Sequence, residues 1–203
     1  MKTKVIKDDN FNAVIDMAVD ALNRGELVIM PTETVYGLAV AADRADAFEQ
    51  IYRAKSRDRG KPVAFLASGI DQVLDSGFSL NMIERRLAEQ YWPGPLTLVL
   101  KGKNGKNEGF RVPDSPVALA LLRRTGGLLR VTSANLSGEP DALNVDAAMS
   151  NLAKFVSIAI DAGPVTGGVA SSVVKVDDGR LIILRRGAIS EDDLISTSEG
   201  KNE

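Results

Sequence analysis

The segment GELVIMPTETVYGLAVAA, residues 25–42, decides the expected fold. Leu27 to Met30 is a short apolar run that ends at Pro31, a pattern typical of a buried strand. A second apolar stretch, from Leu38 to Ala42, follows the loop PTETVYG at residues 31–37. Because open α/β sheets bind ligands at the ends of their strands, this loop is a candidate binding segment.

Helices are predicted on both sides of this segment. Asp9 or Asn10 can cap a helix whose apolar residues between Phe11 and Leu22 recur every three or four positions, and Gly25 can end it. A second helix is predicted over residues 43–54. Further strands are predicted at residues 62–67, 96–100, 128–132 and 156–160, and further helices at residues 80–91, 117–124 and 145–155.

The last predicted elements form a hairpin, in which strands at residues 172–176 and 181–185 flank an Asp-Asp-Gly turn. Strands that alternate with helices, together with one hairpin, favour a mixed α/β sheet in one domain over residues 10–190. Two polar segments are predicted to lie outside the core: an exposed, mobile loop, KGKNGKNEG, at residues 101–109, and a disordered tail at residues 191–203.

The composition excludes several classes of protein. The 203 residues include 25 basic and 27 acidic side chains, which argues against a general nucleic-acid or membrane binder. There is no Cys and no His, so thiol nucleophiles, disulfides, imidazole catalysis and His-ligated zinc are excluded. No apolar run approaches eighteen residues and the first ten residues carry charge, so we expect neither a signal peptide nor a membrane span, and a cytoplasmic location.

The densest charge lies at every second position from Arg53 to Lys61. In an extended segment this spacing puts all five cations on one face, where they repel one another unless a polyphosphate lies against them. A solvated helix end is the alternative interpretation. The run consists of Arg53, Lys55, Arg57, Arg59 and Lys61.

Two loops of small residues follow predicted strands, TSANLSG at 132–138 and GPVTGGVASS at 163–172. Their hydroxyl and amide groups can hold phosphate oxygens, although such segments also serve as turns, caps or flexible connections. Taken singly, Arg111 and Arg185 each resemble an ordinary surface charge. Neither a G-x-G-x-x-G motif nor a P-loop occurs, so a bound nucleotide would need another kind of site.

Taken in order, these motifs closely resemble the YrdC-like family over residues 10–190. The resemblance implies a twisted mixed sheet with flanking helices and a concave, positively lined cavity. The blocks that carry it are PTETVYGL at 31–38, KSR at 55–57, KP at 61–62, WPGPLT at 92–97, RVPD at 111–114, SANLSG at 133–138, SSVV at 171–174 and LRRGAI at 184–189.

The pairing of K-x-R with S-x-N resembles the mark of threonylcarbamoyl-AMP synthases within that family. The resemblance implies that L-threonine, bicarbonate and ATP give threonylcarbamoyl-adenylate and pyrophosphate, the first step towards N6-threonylcarbamoyladenosine at position 37 of tRNA. It implies Mg²⁺ that arrives with ATP and no metal held by the protein alone. The implied partners are other tRNA threonylcarbamoylation proteins and, as an open question, tRNA itself.

The same resemblance assigns roles to individual residues. The signature itself supplies the catalytic set: Lys55, Arg57, Ser133 and Asn135. Residues that match positions contacting threonine and bicarbonate are Thr34, Tyr36, as part of the pocket wall, and Ser171. Residues that match positions contacting ATP are Arg57, Lys61, Arg111, Ser133 and Arg185.

The chain departs from the family pattern at three positions. Leu66 stands where many members have His, Asp141 where Ser is frequent, and Arg130 where an apolar residue is common. The chain also stops soon after the catalytic pattern, as in the short form without an extra C-terminal domain. Two rival hypotheses are a YrdC-like RNA-binding protein without synthase activity and a carbamoyl-adenylate enzyme of the hydrogenase-maturation type, which usually carries zinc-finger cysteines.

Overall fold

The computed structural model describes residues 4–7, 10–102 and 105–200. Its strands are β1 (Lys4–Lys7), β2 (Leu27–Met30), β3 (Gly37–Ala41), β4 (Ala64–Ala67), β5 (Leu96–Lys101), β6 (Asn107–Arg111), β7 (Leu128–Ser133), β8 (Val156–Asp161), β9 (Ser172–Asp177) and β10 (Arg180–Arg185). Its helices are α1 (Phe11–Asn23), α2 (Ala45–Lys55), α3 (Ile70–Asp75), α4 (Met82–Tyr91), α5 (Pro116–Arg124), α6 (Val145–Leu152) and α7 (Glu191–Glu199), and a 3₁₀ turn covers Ala153–Phe155.

The strands form one mixed sheet in the order β1-β8-β2-β3-β7-β4-β6-β5-β9-β10. Four neighbouring pairs are parallel: β1 with β8, β2 with β8, β4 with β6, and β5 with β9. The remaining pairs are antiparallel, including the β9–β10 hairpin. The predicted mixed α/β sheet is therefore confirmed.

Helices pack on this sheet through three apolar clusters. One cluster joins α1 and α5 to the middle strands, and its members include Val14, Leu22 and Leu121. A second joins α2 and α6 to β2, β3 and β8, and a third surrounds α4 and α7 beside β5. Among the described helices, none is both long and apolar enough to cross a membrane.

The start of α1 follows the predicted cap. The side chain of Asn10 accepts a hydrogen bond from the backbone N–H of Ala13 at 3.3 Å, which satisfies one of the free donors of the first turn. Asp9, the alternative cap, lies outside the described residues. The sequence analysis predicts no element at β1 or at α3, both of which the structure contains.

The prediction of an exposed loop over residues 101–109 is wrong for residues 107–109. Residues 107–109 are the start of β6 and pair with β5, so that Gly109 lies opposite Val99. A side chain at Gly109 would lie 3.2 Å from the Cβ of Ala64 and 3.3 Å from Thr97. The glycine that resembled a loop residue thus permits close packing of adjacent strands. Two residues of the predicted loop, 103 and 104, lie outside the described residues.

The prediction of a disordered tail is wrong for residues 191–199, which form α7. Ser190 caps the helix, and Glu191, Asp192 and Asp193 lie in its first turn, where the helix dipole favours negative charge. The hydroxyl of Tyr91 on α4 lies 3.0 Å from that of Thr197. The polar sequence concealed a helix that is fixed by a few contacts to α4. Residues 201–203 lie outside the described residues.

Arg130 occupies the face of the sheet opposite to its neighbours Leu129 and Val131, which belong to the cluster under α1 and α5. Its guanidinium donates to Glu108 at 2.7 and 3.0 Å and lies 3.5 Å from the centre of the Phe65 ring. The unusual cation therefore has a carboxylate and an aromatic face as partners.

The docking of α7 gives a direct test. Leu194 is 1% exposed and packs against α4, so Leu194→Ala should lower the free energy of unfolding by about 2 to 3 kcal/mol. The adjacent Ile195 is 44% exposed, and Ile195→Ala should change it by less than about 0.5 kcal/mol. Urea titration of both variants measures the difference, and equal small effects would contradict the docked helix.

Candidate active site

The PTETVYG loop between β2 and β3 is stabilised by its own hydroxyl groups. Thr32 Oγ1 donates to the carbonyl of Val35 at 2.7 Å and lies 3.0 Å from Thr34 Oγ1. Both threonines are buried, so this turn fixes the direction of each hydroxyl. Backbone hydrogen bonds join the loop to three later segments of the chain, at Ala134, Ala142 and Gly168.

Arg111 ends β6 beside Leu66 of β4 and reaches the same loop. Its Nη2 donates to Thr34 Oγ1 at 2.9 Å, and its Nε donates to the carbonyl of Gly94 at 3.2 Å. Glu33 Oε1 lies 2.6 Å from Nη2, so a carboxylate accompanies this cation. The guanidinium is 7% exposed, and its orientation is set by four fixed groups, the fourth being the Thr32 hydroxyl at 3.5 Å.

Arg185 and Ser171 are brought together where β10 ends and β9 begins. Arg185 donates to the carbonyl of Ser171 through Nε at 3.1 Å and Nη2 at 2.8 Å, and to its hydroxyl at 3.0 Å. Thr97 Oγ1 lies 2.8 Å from Ser171 Oγ. A side chain at Gly187 would lie 2.4 Å from the backbone of Ser171, so glycine permits this close approach.

Lys55 is 1% exposed and binds the segment that contains Ser133 and Asn135. Its ammonium donates to the carbonyl of Ser133 at 2.5 Å, to the carbonyl of Asn135, and to Asn135 Oδ1 at 3.1 Å. Ser133 Oγ also donates to Asn135 Oδ1, at 2.5 Å. Because an ammonium has three donors, all are occupied. In this structure Lys55 therefore holds the S-x-N segment in place.

The interpretation of residues 53–61 as one extended basic face is wrong. Arg53 and Lys55 belong to the last turn of α2, and the chain then turns at Ser56, which has a φ of +50°. Helical geometry separates residues two apart by about 200°, so alternate residues do not share a face. The charges at every second position therefore do not form one extended basic face.

The rest of the run points in different directions. Arg57 donates to the carbonyls of Lys61 at 3.2 Å and Pro62 at 2.9 Å. Arg59 instead pairs with Glu49 at 2.6 Å, where its side chain is largely exposed. The side chain of Lys61 is exposed, and only its carbonyl takes part in the contacts of Arg57. Of these cations, Lys55 and Arg57 face the site.

Arg57 and Arg111 lie near enough to Arg185 for their charges to affect it. Burial lowers the pKa of Arg185, Asp141 raises it, and Arg111 and Arg57 lower it further. Burial also lowers the pKa of Arg57. The pKa of Lys55 is lowered by burial and by the positive charge of Arg57. Arg57, Arg111 and Arg185 come from distant parts of the chain, yet their fields overlap. Arg111 is buried, Arg57 half-buried and Arg185 exposed. Such a group of cations is suited to an anion with several charges.

A family model described as "Telomere recombination", that of the Sua5/YciO/YrdC domain, matches residues 20–187. The chain belongs to the Sua5/YciO/YrdC family. It is 34% identical over 190 residues to the threonylcarbamoyl-AMP synthase of Bacillus subtilis, and the aligned region covers 89% of this chain and 55% of that protein. It is 35% identical over 182 residues to a putative threonylcarbamoyl-AMP synthase of Mycobacterium tuberculosis, with 85% and 83% covered.

The structural comparison agrees with this assignment. The structure of Sua5 from P. abyssi in complex with L-threonine superposes with a TM-score of 0.89 at 26% sequence identity. That match covers 99% of this chain and 62% of the P. abyssi protein. The chain thus spans little more than half the length of some relatives and over four fifths of others.

Two departures from the Sua5/YciO/YrdC pattern, Leu66 and Asp141, lie in different surroundings. Leu66 is 4% exposed and packs into the cluster under α1 and α5, so it offers a methyl surface beside Arg111 where an imidazole would offer a polar one. Asp141 is half-buried, and its charge acts on both Lys55 and Arg185. It therefore lies within the cationic group instead of turning away from it.

Two of the predicted residues, Tyr36 and Lys61, make different contacts from the rest, and two further residues lie beside the set. Tyr36 is fully buried and donates to the carbonyl of Gly163 at 2.6 Å, so its ring supports the loop and does not line an open wall. Lys61 contributes no side-chain contact within the site. Glu33 and Thr97 were not predicted as site residues, although both lie inside the motifs PTETVYGL and WPGPLT, which point to them.

Within the described ranges, no group of three or more Asp, Glu, His or Cys residues has the arrangement of a metal site. A cavity of about 360 Å³ is lined by Thr32 and Glu33 of the PTETVYG loop, by residues 114–117, and by residues 162–166. Glu33 therefore lines this cavity and also pairs with the guanidinium of Arg111.

The buried ammonium of Lys55 gives a prediction with a definite sign. Burial and Arg57 lower its pKa from 10.5 to about 8, so between these pH values the unfolded chain holds a proton that the folded chain has released. Stability must rise with pH in that window. Relative to Lys55→Met, the wild-type free energy of unfolding should rise by up to about 3 kcal/mol from pH 8 to 10.5. A constant difference in urea titrations would disprove the shift.

Proposed function

We propose that this chain is a threonylcarbamoyl-AMP synthase that converts L-threonine, bicarbonate and ATP into threonylcarbamoyl-adenylate and pyrophosphate. The observation that carries the proposal is the convergence of Arg57, Arg111 and Arg185 beside the S-x-N segment. Relatives with the synthase name at 34 and 35% identity support the same assignment. So does the fold shared with a Sua5 structure that contains L-threonine.

The chemistry suits a site without His or Cys. The amine of threonine bonds to the carbon of bicarbonate, a C–O bond breaks and water leaves, which gives an N-carboxy-threonine. Its carboxylate oxygen attacks the α-phosphorus of ATP while the bond to pyrophosphate breaks. The attacking group is already an anion, so this step needs no proton removed by a side chain. The protein must instead align two anions and stabilise the charge on phosphate oxygens and on the departing pyrophosphate.

The described contacts assign parts of this task. Arg57, Arg111 and Arg185 are oriented by backbone oxygens and keep further N–H groups for phosphate. Lys55 positions Ser133 and Asn135, whose hydroxyl and amide would bind substrate oxygens after releasing each other. Thr34 and Ser171 would contact threonine, each beside one arginine.

Mg²⁺ would enter with ATP, held by phosphate oxygens and water, as is usual for this ion. It would supply additional charge neutralisation on the triphosphate. The residues present fit that mode, because the site offers cations and hydroxyl groups for a phosphate chain and isolated carboxylates for a hydrated ion.

The product adenylate would pass to other tRNA threonylcarbamoylation proteins, in a cytoplasmic location. Direct contact with tRNA belongs to the same proposal. A YrdC-like RNA-binding protein without synthase activity is the rival, and it predicts salt-sensitive RNA binding with no adenylate formed. Incubation with ATP, Mg²⁺, bicarbonate and labelled threonine separates the two: a labelled adenylate that requires both threonine and bicarbonate is expected, and its absence would reject the synthase.

Arg57 and Arg59 offer a matched pair of variants. Arg57→Ala should reduce threonine-dependent pyrophosphate release by about 10- to 150-fold, because each charge-assisted hydrogen bond contributes roughly 1.5 to 3 kcal/mol. Arg59 lies on the same segment but pairs with Glu49 away from the site, so Arg59→Ala should keep turnover within about 2-fold. Equal turnover in both variants, with the melting temperature unchanged, would remove Arg57 from the site.

A further inference from the structure

Glu33 is a carboxylate within a group of cations, and its environment is unusual. Oε1 lies 2.6 Å from Nη2 of Arg111, and both carboxylate oxygens are shielded from solvent. Neither Oε1 nor Oε2 accepts a hydrogen bond from any residue in the described part of the chain. The carboxylate therefore makes one charge contact and leaves hydrogen-bonding capacity unused.

The donors of Arg111 are divided between the protein and open space. Nε donates to the carbonyl of Gly94, and Nη2 lies between Thr34 Oγ1 at 2.9 Å and Glu33 Oε1. Nη1 makes no hydrogen bond to the residues that the structure describes. The guanidinium is thus fixed along one edge and at one nitrogen, which leaves the two N–H groups of Nη1 for a ligand.

A second Arg–Glu pair in the same sheet has the contacts expected of a stabilising ion pair. Glu108 accepts hydrogen bonds from Nη1 and Nη2 of Arg130, at 2.7 and 3.0 Å, and the guanidinium stacks on Phe65. Glu33 accepts no hydrogen bond from the described residues. A buried carboxylate with unused capacity lowers stability, and such features persist where a site requires them.

We infer that Glu33 is a positioning residue that holds Nη2 of Arg111 against Thr34 and thereby directs Nη1 towards the substrate anion. The identity of that anion, ATP or the carboxylated threonine, rests on the proposed function. Glu33 touches neither substrate in this account, and it acts through Arg111 alone.

The experiment compares Glu33→Gln, which keeps the shape of the side chain and removes its charge, with Glu108→Gln as the matched control. Melting temperature and the kcat for threonine-dependent pyrophosphate release are measured for each. Glu33→Gln is then combined with Arg111→Lys, which keeps a cation but loses the fork of donors. Hydrogen exchange of the Arg111 Nε–H, followed by NMR, reports the order of the guanidinium without any turnover.

The two variants should show opposite patterns. Glu33→Gln should reduce kcat by about 10-fold or more without lowering the melting temperature, whereas Glu108→Gln should lower the melting temperature and keep kcat within about 2-fold. In the Arg111→Lys protein, adding Glu33→Gln should change kcat by less than about 2-fold. Exchange of the Arg111 Nε–H should be at least about 10-fold faster in Glu33→Gln than in the wild type.

Two outcomes would overturn the inference. A lower melting temperature with unchanged kcat would make Glu33 a structural partner like Glu108. An equal loss of kcat with and without Arg111→Lys would mean that Glu33 acts on the substrate itself. If the wild type releases no pyrophosphate at all, the proposed function fails, and the exchange rate of Arg111 then decides the positioning role by itself: an unchanged rate in Glu33→Gln would reject it.

Discussion

The site depends on one constraint: several positive side chains must lie close together before any anion is present. The charges of this chain nearly cancel, so its overall field does not attract an anion to the site. Local contacts must therefore hold the cations together. Most of these contacts are hydrogen bonds to neutral backbone oxygens, which orient a cation without cancelling its charge. Lys61 and Pro62 hold Arg57, Gly94 holds Arg111, Ser171 holds Arg185, and Ser133 and Asn135 hold Lys55.

The fold makes these contacts possible by bringing strand ends together. The PTETVYG loop is joined by backbone hydrogen bonds to the segments at Ala134, Ala142 and Gly168, so three later parts of the chain are held against it. Two carboxylates, Glu33 and Asp141, lie within the cationic group and moderate its repulsion. A fixed arrangement of this kind needs little reorganisation when an anion binds, which is the main requirement of phosphoryl chemistry.

The sequence predicted the parts of the structure that have strong periodicity or capping. The apolar spacing of α1, the strand before Pro31 and the β9–β10 hairpin all follow from local rules, and all are confirmed. Local rules failed where tertiary contacts decide. Nothing in the polar stretch around Leu194 reveals that α4 will cover it, and Gly109 resembles a loop residue until its neighbouring strands are known.

The site shows the same division. Motif order pointed to Arg57, Arg111, Arg185 and Ser171, and the structure brings them together, but the even spacing of charge around Lys55 does not form one extended basic face. The physical reason is that a buried ammonium at a helix end depends on carbonyls almost 80 residues away. Roles that depend on such distant partners need coordinates, and those of Glu33 and Thr97 are of this kind.

The proposed site requires distant segments of the chain to converge on the triphosphate of ATP. Hydrogen–deuterium exchange of the backbone amides, with and without Mg²⁺ and ATP, measures whether they do. ATP should slow exchange together in four segments, at residues 31–37, 55–62, 132–138 and 170–187. Protection confined to one of these segments, or absent from all at saturating ATP, would contradict the proposed site.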